Sequence, residues 1–131
     1  MIEITDLVKT LHAGGHEVEI LKSLNLTIPS GQFLAITGQS GSGKTTLLSL
    51  IAGLDTPTQG QISIDGQNIT KLDEDALALL RGKRFGFIFQ NFHLIPTLTA
   101  LENVVLSAEL NQTPDAMQKA NALLATVGLS H

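Results

Sequence analysis

Gly38-Gln39-Ser40-Gly41-Ser42-Gly43-Lys44-Thr45 has the spacing G-x-x-x-x-G-K-[ST], and the rest of the chain is read outward from it. A loop of this kind binds polyphosphate through backbone N–H groups turned inward, an approach that side chains beyond Cα would block. Glycines at 38, 41 and 43 remove that obstacle and permit positive φ where the chain curls. Lys44 offers a point charge to the β- and γ-phosphates, and the Thr45 hydroxyl suits Mg²⁺. A helix opening near Gly43 turns its positive end towards the same phosphates. Before the loop, Phe33-Leu34-Ala35-Ile36-Thr37 is a short apolar run that predicts a buried parallel strand. After it, Leu47, Leu48, Leu50 and Ile51 fall on a helix that Gly53 can close. Strand, loop and helix in that order are the context the motif requires, which favours nucleotide binding over a merely structural glycine turn.

Composition bounds the alternatives. A chain of 131 residues with 43% hydrophobic and 15% charged residues is globular and long enough for one core. A formal charge of −4 and eight scattered Lys and Arg residues speak against a nucleic-acid groove, so no nucleic-acid partner is expected. The cluster Arg81, Lys83 and Arg84 reads as solvated side chains flanking a strand. With no cysteine, disulfides, thiolate metal sites and cysteine nucleophiles are excluded together. The histidines at 12, 16, 93 and 131 lack ligand-like spacing. No apolar run approaches the ~18–20 residues of a membrane span, so any membrane role runs through a partner.

In chain order, residues 1–9 alternate as an edge strand, and Gly14-Gly15 mark a turn. Residues 18–21 and 24–28 predict two further strands. Gln61 to Asp65 predicts a strand turning at Asp65-Gly66 and pairing back through Gln67 to Ile69. Asp73-Glu74-Asp75 places acids at the start of a short helix carrying Leu77, Leu79 and Leu80. Arg84 to Gln90 predicts a strand with Phe85, Phe87 and Phe89 on one face, packed into a core. Thr99-Ala100-Leu101-Glu102 matches a capping box opening a helix to about Leu110. Pro114 is suited to the first position of another helix, which Gly128 closes.

The combination then resembles a known family. Antiparallel strands before the loop, Ile51-Ala52-Gly53-Leu54-Asp55-Thr56-Pro57-Thr58-Gln59-Gly60 after it, and Phe85-Gly86-Phe87-Ile88-Phe89-Gln90 are together similar to an ABC-type ATPase subunit. The stretch from Leu94 to Val104 (LIPTLTALENV) resembles the branch that contains the lipoprotein-release, macrolide-export and FtsE-like ATPases. The resemblance implies an α/β P-loop NTPase with a RecA-like core, incomplete here, and an N-terminal antiparallel β subdomain. It assigns nucleotide binding to Gly38, Gln39, Ser40, Gly41, Ser42, Gly43, Lys44, Thr45 and Thr46. Catalytic roles go to Lys44 and Gln90, and Mg²⁺ to Thr45 and Gln90. ATP and Mg²⁺ are the implied cofactors. The implied partners are an integral membrane permease subunit, received in a groove around Asn91–Leu98, and a second copy of the full-length chain. The implied location is cytoplasmic, on the inner face of the cell membrane.

Two departures from the family pattern shape the expectation. An aromatic side chain usually meets adenine just after the first strand, whereas Leu11 and His12 stand there, so weak adenine selectivity is expected. The family's signature loop, Walker B carboxylates and switch histidine belong after residue 131. Residues 1–131 are therefore expected to be the N-terminal portion of a single nucleotide-binding domain, catalytically incomplete alone. Two other readings stay open: a nucleotide-binding module coupled to a membrane partner without turnover of its own, and a small-molecule kinase or GTPase sharing only the loop. Asp65 and Asp73 are the acids to consider should the chain hydrolyse ATP unaided.

Overall fold

Alternation of apolar and polar residues builds a long hairpin, β1 (Ile2–Ala13) and β2 (His16–Ile28), turning at Gly14-Gly15. The computed structural model describes residues 1–89 and 91–129. These fall into two units, one from Met1 to Phe85 and one from Gly86 onward.

In the first unit, β3 (Gln59–Ile64) and the two-residue β4 (Gln67–Asn68) complete an antiparallel sheet of order β2-β1-β3-β4. The predicted strands at 18–21 and 24–28 are one strand with a bulge. Ser23 and, across the ladder, Asp6 both take left-handed backbone, at φ 49° and 46°. Three polar contacts hold the bulge: Asn25 Oδ1 accepts from Asp6 N–H at 2.9 Å, and Asp6 Oδ1 accepts from Asn25 Nδ2 and Ser23 Oγ. The extra residue changes the phase of both strands. Ile4 and Leu7, three apart, are both buried, and Leu21 and Leu24 follow the same step on β2. On the other side of β1, Gly60 passes so close that a Cβ there would sit 2.3 Å from the Asp6 carbonyl oxygen.

Helix α1 (Lys44–Ile51) packs on this sheet, with Leu47, Leu50 and Ile51 meeting Ile4, Leu7, Leu21, Ile62 and Ile69. Fully burying such a side chain stabilises by about 1.5–3 kcal/mol, so this cluster dominates the unit. Gly53 ends α1 as expected: its N–H reaches Leu50 O and the Leu54 N–H reaches Ser49 O. A 3-10 turn (Ile69–Lys71) leads to α2 (Glu74–Arg84), whose first turn is capped by the Asp73 carboxylate on Ala76 N–H. Arg81, Lys83 and Arg84 therefore lie in the last turn of a helix rather than beside a strand, where cations suit the dipole. Arg81 also donates to Gly53 O at 2.7 Å and to the Glu74 carboxylate.

Two predicted strands do not form. Residues 33–37 carry no ladder, and Phe33 is 92% exposed. Residues 85–89 carry none either; residue 90 lies outside the described residues. An apolar run becomes a strand only when another backbone pairs with it, and among the described residues no strand lies beside either segment. The phenylalanines consequently do not share a core. Phe85 packs against the first unit's cluster, whereas Phe87 and Phe89 stack on each other at 5.6 Å and remain about half exposed.

In the second unit, α3 (Ala100–Leu110) and α4 (Ala116–Thr126) form a helical hairpin around Val105 and Ala120. The capping box at Thr99 and Glu102 is present in both directions. Helix α4 opens at Ala116, not Pro114, because Asp115 precedes it in left-handed backbone at φ 56°. Gly128 closes α4 through Gly128 N–H to Ala125 O and Leu129 N–H to Leu124 O.

Candidate functional site

The loop from Gly38 to Thr45 curls into the N-terminus of α1, with Gly43 at the cap position (φ 87°). Only glycine fits there. Besides the backbone angle, a Cβ would lie 3.1 Å from Ile20 Cγ2 and 3.2 Å from both Ile20 O and Leu21 Cδ2. The loop thus sits down on β2, which fixes where the helix begins. Inside the curl, the Lys44 ammonium donates to Gly38 O at 2.9 Å and Gln39 O at 2.7 Å, and approaches Ser42 Oγ at 3.4 Å. A positive charge is therefore held at the mouth of the loop by the loop's own carbonyls.

Among the described residues, the first turn of α1 has neither a side-chain cap nor an acidic residue. Its leading N–H groups keep their hydrogen-bonding capacity for a ligand, and the helix dipole favours an anion there. The residues present thus fit a polyphosphate. Two depressions flank Lys44. One, of about 260 Å³, is lined by Ile20, Gly41, Gly43, Lys44, Thr45 and Thr46. The other, of about 270 Å³, lies under the loop against Leu21, Leu24, Ile36 and Leu47. Among the described residues, no group of three His, Cys, Asp or Glu is placed to hold a metal ion.

Of the nine residues from Gly38 to Thr46 singled out in the sequence, Gly38, Gly41, Ser42, Gly43, Lys44, Thr45 and Thr46 line the two depressions, and Gln39 O accepts from Lys44. Gln90 lies outside the described residues. At the hairpin end, Leu11 is 44% exposed and pairs with Val18, and His12 Nε2 stands 3.7 Å from the Glu17 carboxylate. Asp65 and Asp73 are both engaged elsewhere: Asp65 with the Met1 amine and Arg84, Asp73 as the α2 cap. Behind α1, Lys9 Nζ donates to Asp55 Oδ1 at 2.7 Å and to Thr56 O at 2.8 Å. That lysine bond, helped by the Thr56 N–H, holds the Asp55 carboxyl below its usual range against the opposing effect of burial.

In the second unit, the segment 91–98 is irregular and exposes Phe92 (89%), Leu94 (62%) and Ile95 (42%). Its conformation is set by Asn103, whose side chain reaches the backbone of Ile95, Leu98 and Thr99. Neither Asn103 nor Ile20 stands out in the sequence reading. Asn103 is one residue past the capping box, and Ile20 reads as an ordinary strand residue.

Residues 21–131 match the family described as ABC transporter. The chain belongs to this family. Among relatives in the ABC transporter family, the ATP-binding protein YbbA of Escherichia coli K12 is 46% identical over 131 residues, covering 98% of this chain and 58% of that protein. The lipoprotein-releasing system ATP-binding protein LolD of Pseudomonas syringae pv. tomato is 43% identical over 133 residues, covering all of this chain and 59% of that protein. The macrolide export ATP-binding/permease protein MacB of Brucella abortus is 46% identical over 122 residues, which are 93% of this chain and 19% of that protein. The chain thus spans little more than half of its YbbA and LolD relatives. A dimeric post-hydrolysis structure of the ATP-binding cassette MJ0796 bound to ADP and Pi resembles it with TM-score 0.87 at 39% identity, over 95% of this chain and 56% of that one. A second dimeric structure of MJ0796 gives TM-score 0.85 at 42% identity. These likenesses fix the fold class as the P-loop NTPase type with an antiparallel N-terminal sheet, within a family of transporter ATP-binding subunits.

Proposed function

We propose that the chain is the nucleotide-binding N-terminal portion of an ABC-type ATPase subunit that powers a membrane export or extraction complex. The observation that carries this reading is the Lys44 ammonium folded over the Gly38 and Gln39 carbonyls, at the uncapped N-terminus of α1. Backbone N–H groups from Gln39 to Thr46 would hold the phosphates of ATP, with Lys44 at the β/γ end. Thr45, with Gln90, would hold Mg²⁺, which neutralises phosphate charge when bound. Lys44 needs only to swing from the loop carbonyls to the phosphates, so the site is charged before ligand arrives.

The exposed apolar segment around residues 91–98 would receive a membrane permease subunit, and the full-length protein would work as a homodimer at the inner face of the cell membrane. No helix among the described residues is long and apolar enough to cross a membrane. A second reading, nucleotide binding coupled to a partner without turnover, rests on the lining of both depressions beside Lys44, which among the described residues includes no acid. Titration calorimetry with Mg-ATP tests the shared part. Binding by the wild-type chain and its near loss in Lys44→Ala are expected. Equal affinity of the two proteins would refute the assignment of Lys44.

A further inference from the structure

We propose that Arg81 is a positioning residue for the candidate phosphate site, acting from the far end of α1. The inference rests on the polyphosphate reading of the loop and adds to it a residue that touches no ligand. Helix α1 has eight residues and is about 12 Å long, so a restraint at one end is felt at the other. Among the described residues, its first turn holds no acid and its last turn no cation. The N-terminal end is left open to an anion, while the carbonyl end lacks a counter-charge of its own.

Arg81 supplies that charge from α2. Its Nη1 donates at 2.7 Å to the carbonyl oxygen of Gly53, a buried residue just past the end of α1. Its Nη2 donates to Glu74 Oε1, so the guanidinium is held from both sides. The Arg81 side chain is 18% exposed and that of Glu74 76%. Water therefore screens the carboxylate far more than the guanidinium, and the field at the end of α1 stays positive. The backbone is close as well: a Cβ on Gly53 would lie 2.8 Å from Leu77 Cδ2. Helix α1 is thus gripped at both ends, by β2 beneath Gly43 and by α2 over Gly53. A phosphate at the first turn and a guanidinium past the last load the helix dipole in the same sense, so each favours the other. Releasing Arg81 frees one end of a two-turn helix to fray, and the N–H groups that meet the phosphates lose their fixed direction. Arg84 makes the contrast. It carries the same charge on the same helix, but its hydrogen bond goes to Asp65.

The test titrates the 131-residue chain and its variants with tripolyphosphate by calorimetry, and measures the urea midpoint of each. Arg81→Met should weaken tripolyphosphate by about three- to tenfold. Arg81→Lys, which keeps the charge and a donor, should bind within about twofold of wild type, and so should Arg84→Met. Titrations are run without denaturant, on variants shown to be folded by circular dichroism. A merely structural Arg81 would then lower the urea midpoint and leave the affinity unchanged, and that result would overturn the proposal. So would equal weakening by Arg84→Met, because the effect would then be one of overall charge. Should Arg81→Met fail to fold, Arg81→Gln, which keeps a donor without the charge, must still weaken binding by at least about threefold. If the wild type binds no tripolyphosphate, or Lys44→Ala binds it unchanged, the phosphate-loop reading itself falls and the Arg81 assignment with it.

Discussion

Asn103 and Ile95 exchange a pair of hydrogen bonds: Ile95 N–H donates to Asn103 Oδ1 at 2.8 Å, and Asn103 Nδ2 donates to Ile95 O at 3.2 Å. The same amide nitrogen also reaches Leu98 O at 3.1 Å and Thr99 O at 2.9 Å. One side chain on the first turns of α3 thus substitutes for the ladder that an irregular segment lacks. The exposed residues Leu94 and Ile95 are thus held in place through backbone hydrogen bonds, although neither is buried.

Replacing Asn103 by alanine should therefore loosen the segment 95–99 while leaving α4 intact. Each such bond contributes about 0.5–1.5 kcal/mol, and water replaces some of them at this exposed site, so a net loss of about 1–2 kcal/mol is expected. Hydrogen exchange checks it: the Ile95 amide should exchange much faster in Asn103→Ala, with amides of Ala120 to Leu124 unchanged. Asn103→Asp keeps an acceptor for the Ile95 N–H, and should protect that amide better than alanine does.

The phosphate loop's dependence on close packing gives a second prediction. Gly43→Ala combines left-handed backbone with contacts of 3.1–3.2 Å to Ile20 and Leu21, and should destabilise the first unit by about 1–3 kcal/mol. Gly41 has a similar φ of +80°, but a Cβ there would meet no described atom within 4 Å, so Gly41→Ala carries the backbone strain alone. Urea unfolding should rank wild type, Gly41→Ala and Gly43→Ala in falling stability. Equal midpoints for the two variants would show that the contact with β2 contributes nothing.

How much of this was legible in the sequence differs by element. The loop and α1 were readable because phosphate chemistry demands particular residues at particular spacing, and those demands are local. The capping box at Thr99 and the helix ends at Gly53 and Gly128 were readable for the same reason. The strands expected at 33–37 and across residues 85–89 were not, since a ladder depends on a neighbouring backbone that apolar pattern cannot reveal. The break between 21 and 24 looked like a gap between strands; it is a bulge whose partner, Asp6, lies 17 residues earlier. Ile20 and Asn103 were missed because their roles arise from what the fold brings to them. Gln90 falls outside the described residues, and its role is a proposal by resemblance.

Acid should weaken the link between β1 and the turn after α1. The Lys9 bond lowers the folded pKa of Asp55 from 3.8, so the stabilisation is fully present above the unfolded value and is lost as pH falls through the lower, folded one. The Asp55 side chain is 39% exposed, and solvent screening keeps the contribution at about 0.2–1 kcal/mol. Lys9→Met should accordingly lower the urea midpoint at pH 7, with the gap to wild type closing well below pH 4. A gap that stayed constant down to pH 2 would assign the loss to packing of the Lys9 stem instead.

Catalysis is the last expectation. Phosphoryl transfer to water needs a group that orients or deprotonates the attacking water, besides the charges that hold the phosphates. Among the described residues, neither depression beside Lys44 is lined by an Asp, Glu or His. The two acids that the sequence offers for the task, Asp65 and Asp73, are occupied by an ion pair and a helix cap. The 131-residue chain should therefore bind Mg-ATP and release phosphate no faster than the buffer control. A longer protein supplying a carboxylate and a switch histidine to the Lys44 site should restore turnover to the ordinary enzymatic range, about 1 s⁻¹ or more. Phosphate release at that rate by a purified monomer of the 131-residue chain, abolished by Asp65→Asn or Asp73→Asn, would reverse the assignment. The acids taken here as structural would then belong to the active site.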